Sequence, residues 1–210
     1  MEEGGKGSVE RCAAGPLLKG RVRKPCSMGK GVRMAEVTFR QVESDEDKQK
    51  AGALIREYLE GLNERVQRDY GIEFDVEAMV VSDLCDPEKF DPPEGRFYLG
   101  MYRGAIAGVG CLKKLEEGVG ELQRMYVPPD FRRKGIGRAI LNRLIEDARL
   151  IGYKRLKLES LKFLGAAHSL YRSVGFLEID PYADNSMKSY QDVKNLDAYY
   201  SITVFMEMTL

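Results

Sequence analysis

Apolar and polar positions along the chain alternate between two periods. Val37 to Val42 alternates as a strand. Ser44 then offers an N-cap, followed by the acids Asp45, Glu46 and Asp47, and a helical stripe runs through Ala51, Leu54, Ile55, Tyr58 and Leu62. Gly61 loosens the end of that helix, and Glu64 to Tyr70 is expected as a second short one. Residues 71–95 show no clear period and read as irregular. Arg96 to Tyr102 and Ala105 to Leu115 form two strands joined at Arg103-Gly104, and Val119 to Val127 is a third. Pro128-Pro129-Asp130 stops it, because proline cannot donate to a sheet ladder. Helical spacing returns at Ile136, Ile140, Leu144, Ala148 and Ile151, closed by Gly152. A strand at Lys154 to Glu159, a helix at Phe163 to Val174 capped by Gly175, and strands at Phe176 to Ile179 and Ser201 to Leu210 complete the series. Residues 181–200 are polar, tyrosine-rich and too long for a turn. This order describes an α/β (α+β) domain: a mixed, mainly antiparallel sheet of about seven strands flanked by about four helices.

Composition fits one globular domain: 210 residues, 43% hydrophobic and 31% charged, with formal net charge zero. The balance hides an asymmetry. Residues 1–33 hold eight Lys/Arg and three Glu, net +5, so residues 34–210 are net −5. The folded part therefore lacks the basic excess of a nucleic-acid binder, and nucleic acid is not expected as a partner. The first 33 residues contain seven glycines and almost no apolar periodicity. They read as a disordered basic arm, or as a stretch upstream of a start at Met28 or Met34, with the domain at 34–210. An arm that tethers the domain to nucleic acid is the other use such a segment could have. From Glu73 to Glu94 there are eight acids and one lysine, net −7, either a solvated loop or an acidic rim that attracts a cationic acceptor.

Cys12, Cys26, Cys85 and Cys111 form no C-x-x-C pair, and His168 is the single histidine, so no familiar zinc spacing exists and no metal is expected. His168 lies opposite Phe163, Leu170 and Val174 on its predicted helix, which places it on the surface. With no secretory apolar segment and no run of about 18 apolar residues, a cytoplasmic protein with free thiols and no membrane contact is expected.

The densest chemistry lies at Arg132-Arg133-Lys134-Gly135-Ile136-Gly137-Arg138. A helix start carries free N–H groups and the positive end of the dipole. Gly135 and Gly137 remove side chains that would hold a phosphate off those groups, and four cations surround the point. This combination favours an anion site over a solvated basic turn.

The segment also resembles the R/Q-x-x-G-x-G/A motif of the GNAT superfamily of N-acetyltransferases. A second segment, Ala167-His168-Ser169-Leu170-Tyr171-Arg172-Ser173-Val174-Gly175-Phe176, is similar to the family's A-x-x-L-Y-x-x-x-G-F. Leu164 stands where many members carry Asn, whereas Leu158-Glu159-Ser160 and Pro181-Tyr182-Ala183-Asp184-Asn185 resemble one branch, with Ser186 to Tyr200 as an insertion.

The resemblance implies direct transfer of an acetyl group from acetyl-CoA, as co-substrate, to a primary amine of a small molecule or peptide. The pyrophosphate would lie at Arg132, Arg133, Lys134, Gly135, Ile136, Gly137 and Arg138. The strand at Met125, Tyr126 and Val127 would pair with the pantetheine arm, with Met125 N–H as oxyanion donor. Tyr171 would be the acid that protonates the thiolate. Glu121 would be the base: it precedes Met125 by four residues and Val127 by six, so a period of two puts all three on one face. Dimers are common among members, which leaves room for a homodimer. A non-catalytic acyl-CoA-binding module on the same fold is the alternative, motivated by the insertion and the ordinary acidity of an unperturbed glutamate.

Overall fold

The computed structural model describes residues 37–182 and 193–210; the expectations for residues 1–33 lie outside the described residues. Seven strands form one sheet in the order β1-β2-β3-β4-β5-β7-β6. They are β1 Val37–Gln41, β2 Arg96–Tyr102, β3 Ala105–Glu116, β4 Val119–Tyr126, β5 Arg155–Leu161, β6 Leu177–Ile179 and β7 Thr203–Thr209. Every neighbouring pair is antiparallel except β4 with β5. The mixed, mainly antiparallel sheet expected from the pattern is therefore present. The β2–β3 turn forms as read: Arg103 has φ 52° and Gly104 φ 82°, the left-handed pair that a two-residue hairpin needs.

Six α-helices are described, more than the sequence pattern gave. The first, α1, is one helix from Asp45 to Tyr70, with no break at Gly61. A glycine inside a helix costs about 1 kcal/mol relative to alanine. Burial of Val66 on the same stripe as Ile55 and Leu59 offsets that cost, at about 1.5–3 kcal/mol per fully buried side chain. Ser44 caps the start by accepting from Asp47 N at 3.1 Å, and Gly71 closes the end with φ 68°.

The second correction concerns residues 71–95, which contain α2 (Val76–Cys85) and α3 (Pro87–Phe90). Asp75 caps α2 through Ala78 N at 2.9 Å, and Met79 and Val80 are buried. The acids obscured a short apolar stripe. Their charges are largely spent locally: Glu77 pairs with Arg56, Glu94 with Lys114 at 2.6 Å, and Asp83 is buried. The insertion likewise ends in a helix, α6 (Val193–Ser201).

The sheet separates two apolar layers. One holds α1, α2 and Tyr199 of α6 against Phe97, Leu99, Val109 and Cys111. The other holds α4 (Ile136–Ile151) and Tyr171 of α5 (Gly165–Arg172) against Tyr98, Leu112, Leu122, Leu156 and Leu158. The α4 helix approaches closely because β3 presents Gly108 and Gly110 beneath Ile140. A Cβ on Gly110 would stand 2.5 Å from Ile140 Cγ2 and 3.2 Å from Leu144 Cδ1. Gly110→Ala should therefore lower the urea midpoint by an amount equivalent to about 1–3 kcal/mol, with an unchanged slope.

Candidate active site

The parallel pairing of β4 with β5 stops after three residue pairs, Val119 with Arg155, Gly120 with Leu156 and Glu121 with Lys157. Beyond that point the two strands part. A cavity of about 730 Å³ fills the gap, lined by Leu122 to Val127 on one side and Leu158 to Ser160 on the other. Tyr58, Leu62 and Arg65 of α1 and Leu170 and Tyr171 of α5 close it. Strands that have parted leave backbone N–H and C=O groups without a sheet partner, which suits an extended ligand that adds itself as a strand.

One end of the cavity is the Arg132–Arg138 turn. Pro129–Phe131 forms a 3-10 turn after β4, and α4 starts at Gly135, φ 80°, with no side chain capping its first N–H groups. Arg133 also has a left-handed backbone, φ 61°. Successive N–H groups in such a turn form a concave anion cradle, reinforced by the helix dipole. Arg132, Arg133, Gly135, Ile136, Gly137 and Arg138 line the cavity. Lys134 does not; its ammonium donates to Asp130 O at 2.6 Å and ties down the turn. Arg132 Nε donates to Val127 O at 3.0 Å, and Arg138 Nη2 to Ser173 Oγ at 2.9 Å. The donor set fits a diphosphate.

The face assignment in β4 differs from the simple period of two. Arg124 has φ 51°, and the β3–β4 register shifts between the pairs Val109–Tyr126 and Cys111–Gln123, a β-bulge. One extra residue reverses the alternation. Met125 and Val127 pack in the α4 layer, whereas Glu121, Gln123, Arg124 and Tyr126 face α1 and α2. Glu121 therefore does not share a face with Met125 and Val127. It is completely buried and does not line the cavity. Its carboxylate accepts from the Tyr182 hydroxyl and from Gln123 Nε2, both at 2.6 Å, and lies 3.3 Å from Lys113 Nζ.

Two carboxyls line the cavity, Glu57 of α1, which accepts from the Tyr126 hydroxyl, and Glu159, on the α1-facing side of β5. Burial pushes Glu159 up to about 8, with the Glu121 carboxylate acting in the same direction and Arg124, Tyr199 and Lys113 opposing. Its Oε2 is buried with no hydrogen-bond partner among the described residues. Sequence reasoning had Leu158-Glu159-Ser160 in view only as a branch marker. The signal in the sequence is the alternation of β5, which puts Glu159 on the face opposite Leu156 and Leu158.

Arg124 is held by Asp83 through Nε, with a second bond from Nη2 at 3.4 Å, and Lys89 Nζ adds a 2.5 Å contact to the same carboxylate. Tyr126 donates to Glu57 at 2.8 Å and is pushed up to about 12, first by burial. Tyr171 lines the cavity, and burial raises its phenol, so it keeps its proton at neutral pH. His168, expected at the surface, is buried, with Nε2 3.1 Å from Ser160 Oγ. The β5 strand covers that side of α5, and burial lowers its pKa. Among the described residues no group of three or more His, Cys, Asp or Glu could hold a metal ion, and no helix is long and apolar enough to cross a membrane.

A carboxyl whose native pKa exceeds its unfolded value binds its proton more tightly when folded. The stability it contributes is complete below the ordinary carboxylate range and is lost as pH rises through about 8. Glu159→Gln, which cannot ionise, should therefore gain thermal stability over the parent protein between about pH 5 and pH 9, as thermal melts across that range will read.

Comparison with known proteins agrees with this geometry. An uncharacterised N-acetyltransferase of Bacillus subtilis, YsnE, is 37% identical over 99 residues, which are 46% of this chain and 66% of that protein. The IAA acetyltransferase of Azospirillum brasilense is 34% identical over 100 residues, 47% of this chain and 65% of that protein. The N-acetylaspartate synthetase of Rattus norvegicus is 35% identical over 104 residues, 48% of this chain and 35% of that protein. The chain thus spans about two thirds of the bacterial relatives' length and about a third of the rat protein's. Two solved structures share the fold. The GNAT-family acetyltransferase of Staphylococcus aureus has a TM-score of 0.60 at 18% identity, over 83% of this chain and 99% of that one. The PaiA N-acetyltransferase of Thermoplasma acidophilum, in complex with coenzyme A, has a TM-score of 0.54 at 16% identity, over 83% and 99%. The sequence profile described as "Acetyltransferase (GNAT) family" matches residues 59–176, more than half of the chain, and the chain belongs to that family.

Proposed function

We propose that the chain transfers an acetyl group from acetyl-CoA to a primary amine of a small molecule or peptide. The observation that carries this reading is a single cavity between the parted strands β4 and β5, with an uncapped, glycine-bounded helix start at one end and Tyr171 in its wall. The turn from Arg132 to Arg138 would hold the diphosphate through the N–H groups at the start of α4, with Arg133 and Arg138 adding charge. The freed backbone edge at Met125 to Val127 would pair with the pantetheine arm, and the Met125 N–H would serve as oxyanion donor. When bound, acetyl-CoA supplies the activated thioester.

The chain's own groups then manage protons. Tyr171 holds a proton on a phenol that burial keeps neutral, and gives it to the departing sulfur. Removal of a proton from the amine falls to the carboxylates on the α1 face. Glu121 meets the cavity only through its neighbours Gln123 and Glu159. Met79, Phe74 and Tyr199 line a second chamber of about 60 Å³ behind Glu159, too small for an acceptor of any size. The larger cavity, beside Tyr58, Leu62 and Phe163, has room for the acceptor.

The test is thiol release from acetyl-CoA with a panel of primary amines. Tyr171→Phe should lower kcat by about 10²-fold or more while coenzyme A binding, read by calorimetry, is retained. Unchanged kcat in that variant would remove Tyr171 from the mechanism. Binding of coenzyme A with no turnover of any amine would favour a non-catalytic acyl-CoA-binding module.

A further inference from the structure

We propose that Glu159 is the group that takes the proton from the acceptor amine, and that Glu121 is a positioning residue acting through it. The inference rests on the acetyl-transfer reading and deepens it.

Three observations support the assignment. First, Glu159 lines the cavity between β4 and β5, the same cavity whose far wall carries Tyr171, whereas Glu121 is sealed behind the wall and Glu57, the other lining carboxyl, is engaged by the Tyr126 hydroxyl. Second, Glu159 Oε2 is buried with no hydrogen-bond partner among the described residues. A buried polar atom left without a partner costs free energy, and an N–H donor from a ligand is what would satisfy it. Third, the surroundings make the carboxyl a stronger base than a solvated one. Burial acts first and Glu121 faces it from β4 with like charge, while Tyr199 from α6 opposes by hydrogen bonding to the carboxylate and Tyr58 from α1 brings an uncharged phenol. The opposing cations are Arg124, already engaged by Asp83, and Lys113, which lies 3.3 Å from Glu121.

Glu121 accepts from Tyr182 and Gln123 and pairs with Lys113 behind the wall. A neighbour of like sign raises the proton affinity of Glu159, the member of the pair that lines the cavity. That division of labour gives one carboxyl that stays behind the wall and one that meets substrate. In the step itself the amine nitrogen forms a C–N bond to the thioester carbon as the C–S bond breaks. One proton passes from nitrogen to Glu159 and one from Tyr171 to sulfur. Starting from a neutral amine, the products are the amide and the free thiol, and proton exchange between the two side chains and solvent restores both.

The test has a spectroscopic arm and a kinetic arm. Carbon-13 NMR of the glutamate carboxyls, assigned through bonds in the full chain without ligand, follows Glu159 against pH. Its midpoint is expected well above the ordinary carboxylate range and should move down in Glu121→Gln. A midpoint in the ordinary range in the parent protein overturns the proposal. In the kinetic arm, spermidine, phenethylamine, L-aspartate and a tetrapeptide with a free N-terminus are the acceptors. With any of these that is acetylated, the rate should rise with pH through the same midpoint. Glu159→Gln should lose about 10²-fold in kcat and lose that rise, with KM for acetyl-CoA unchanged. Retention of the parent's kcat and pH rise in Glu159→Gln overturns the proposal. Turnover of none of these amines by the parent protein counts instead against the acetyl-transfer reading, and the carboxyl titration still decides the state of Glu159.

Discussion

The candidate site depends on a single irregularity, the bulge at Arg124. A non-glycine residue at φ 51° costs about 1–3 kcal/mol, so something must hold it there. Asp83 does so: its carboxylate is fully buried, grips the guanidinium of Arg124 and takes a second cation from Lys89. Removing one member of such a pair leaves an uncompensated buried charge, which is why the arrangement, once formed, resists change. The bulge turns Met125 and Val127 toward α4 and leaves Glu121, Gln123 and Tyr126 facing α1. One strand thus lines the cavity with an apolar edge on one side and charged groups on the other.

Two consequences follow for the chemistry. The strand pairing that ends at Glu121 and Lys157 opens the cavity just where the bulge re-aims the side chains. The titratable groups of the cavity are then sorted by layer. Tyr171 comes from the α5 side, with its phenol kept neutral by burial, and Glu159 from the α1 side, with its carboxyl raised by burial and by Glu121. A phenol kept neutral and a carboxyl raised by burial thus line one cavity from two sides.

Much of this was legible in the sequence. The alternation of β2 and β3, the turn at Arg103-Gly104 and the stripe of α4 between Gly135 and Gly152 are strong local signals, and the structure follows them. Tyr171 and the Arg132–Gly137 turn stand out through their resemblance to two family motifs, each confined to a helix or a short loop. The misses share a physical cause. A period of two holds only where pairing is regular, and nothing in Gln123-Arg124-Met125 announces a bulge set by a carboxylate 41 residues away. Residues 71–95 read as irregular because acids spread from Glu73 to Glu94 interrupt the short apolar run of α2. Helix spacing alone points His168 outward, because it carries no trace of the β5 strand that covers it. In each case a long-range contact decided what the local pattern left open.

The central claim is that the gap between β4 and β5 is where acetyl-CoA is held. A crystal structure of the full chain with coenzyme A tests it most directly. The account predicts the diphosphate on the N–H groups of Ile136, Gly137 and Arg138, the pantetheine arm along Met125 to Val127, and the thiol between Tyr171 and Glu159. Coenzyme A bound outside that gap, or with its thiol remote from Tyr171, would contradict it.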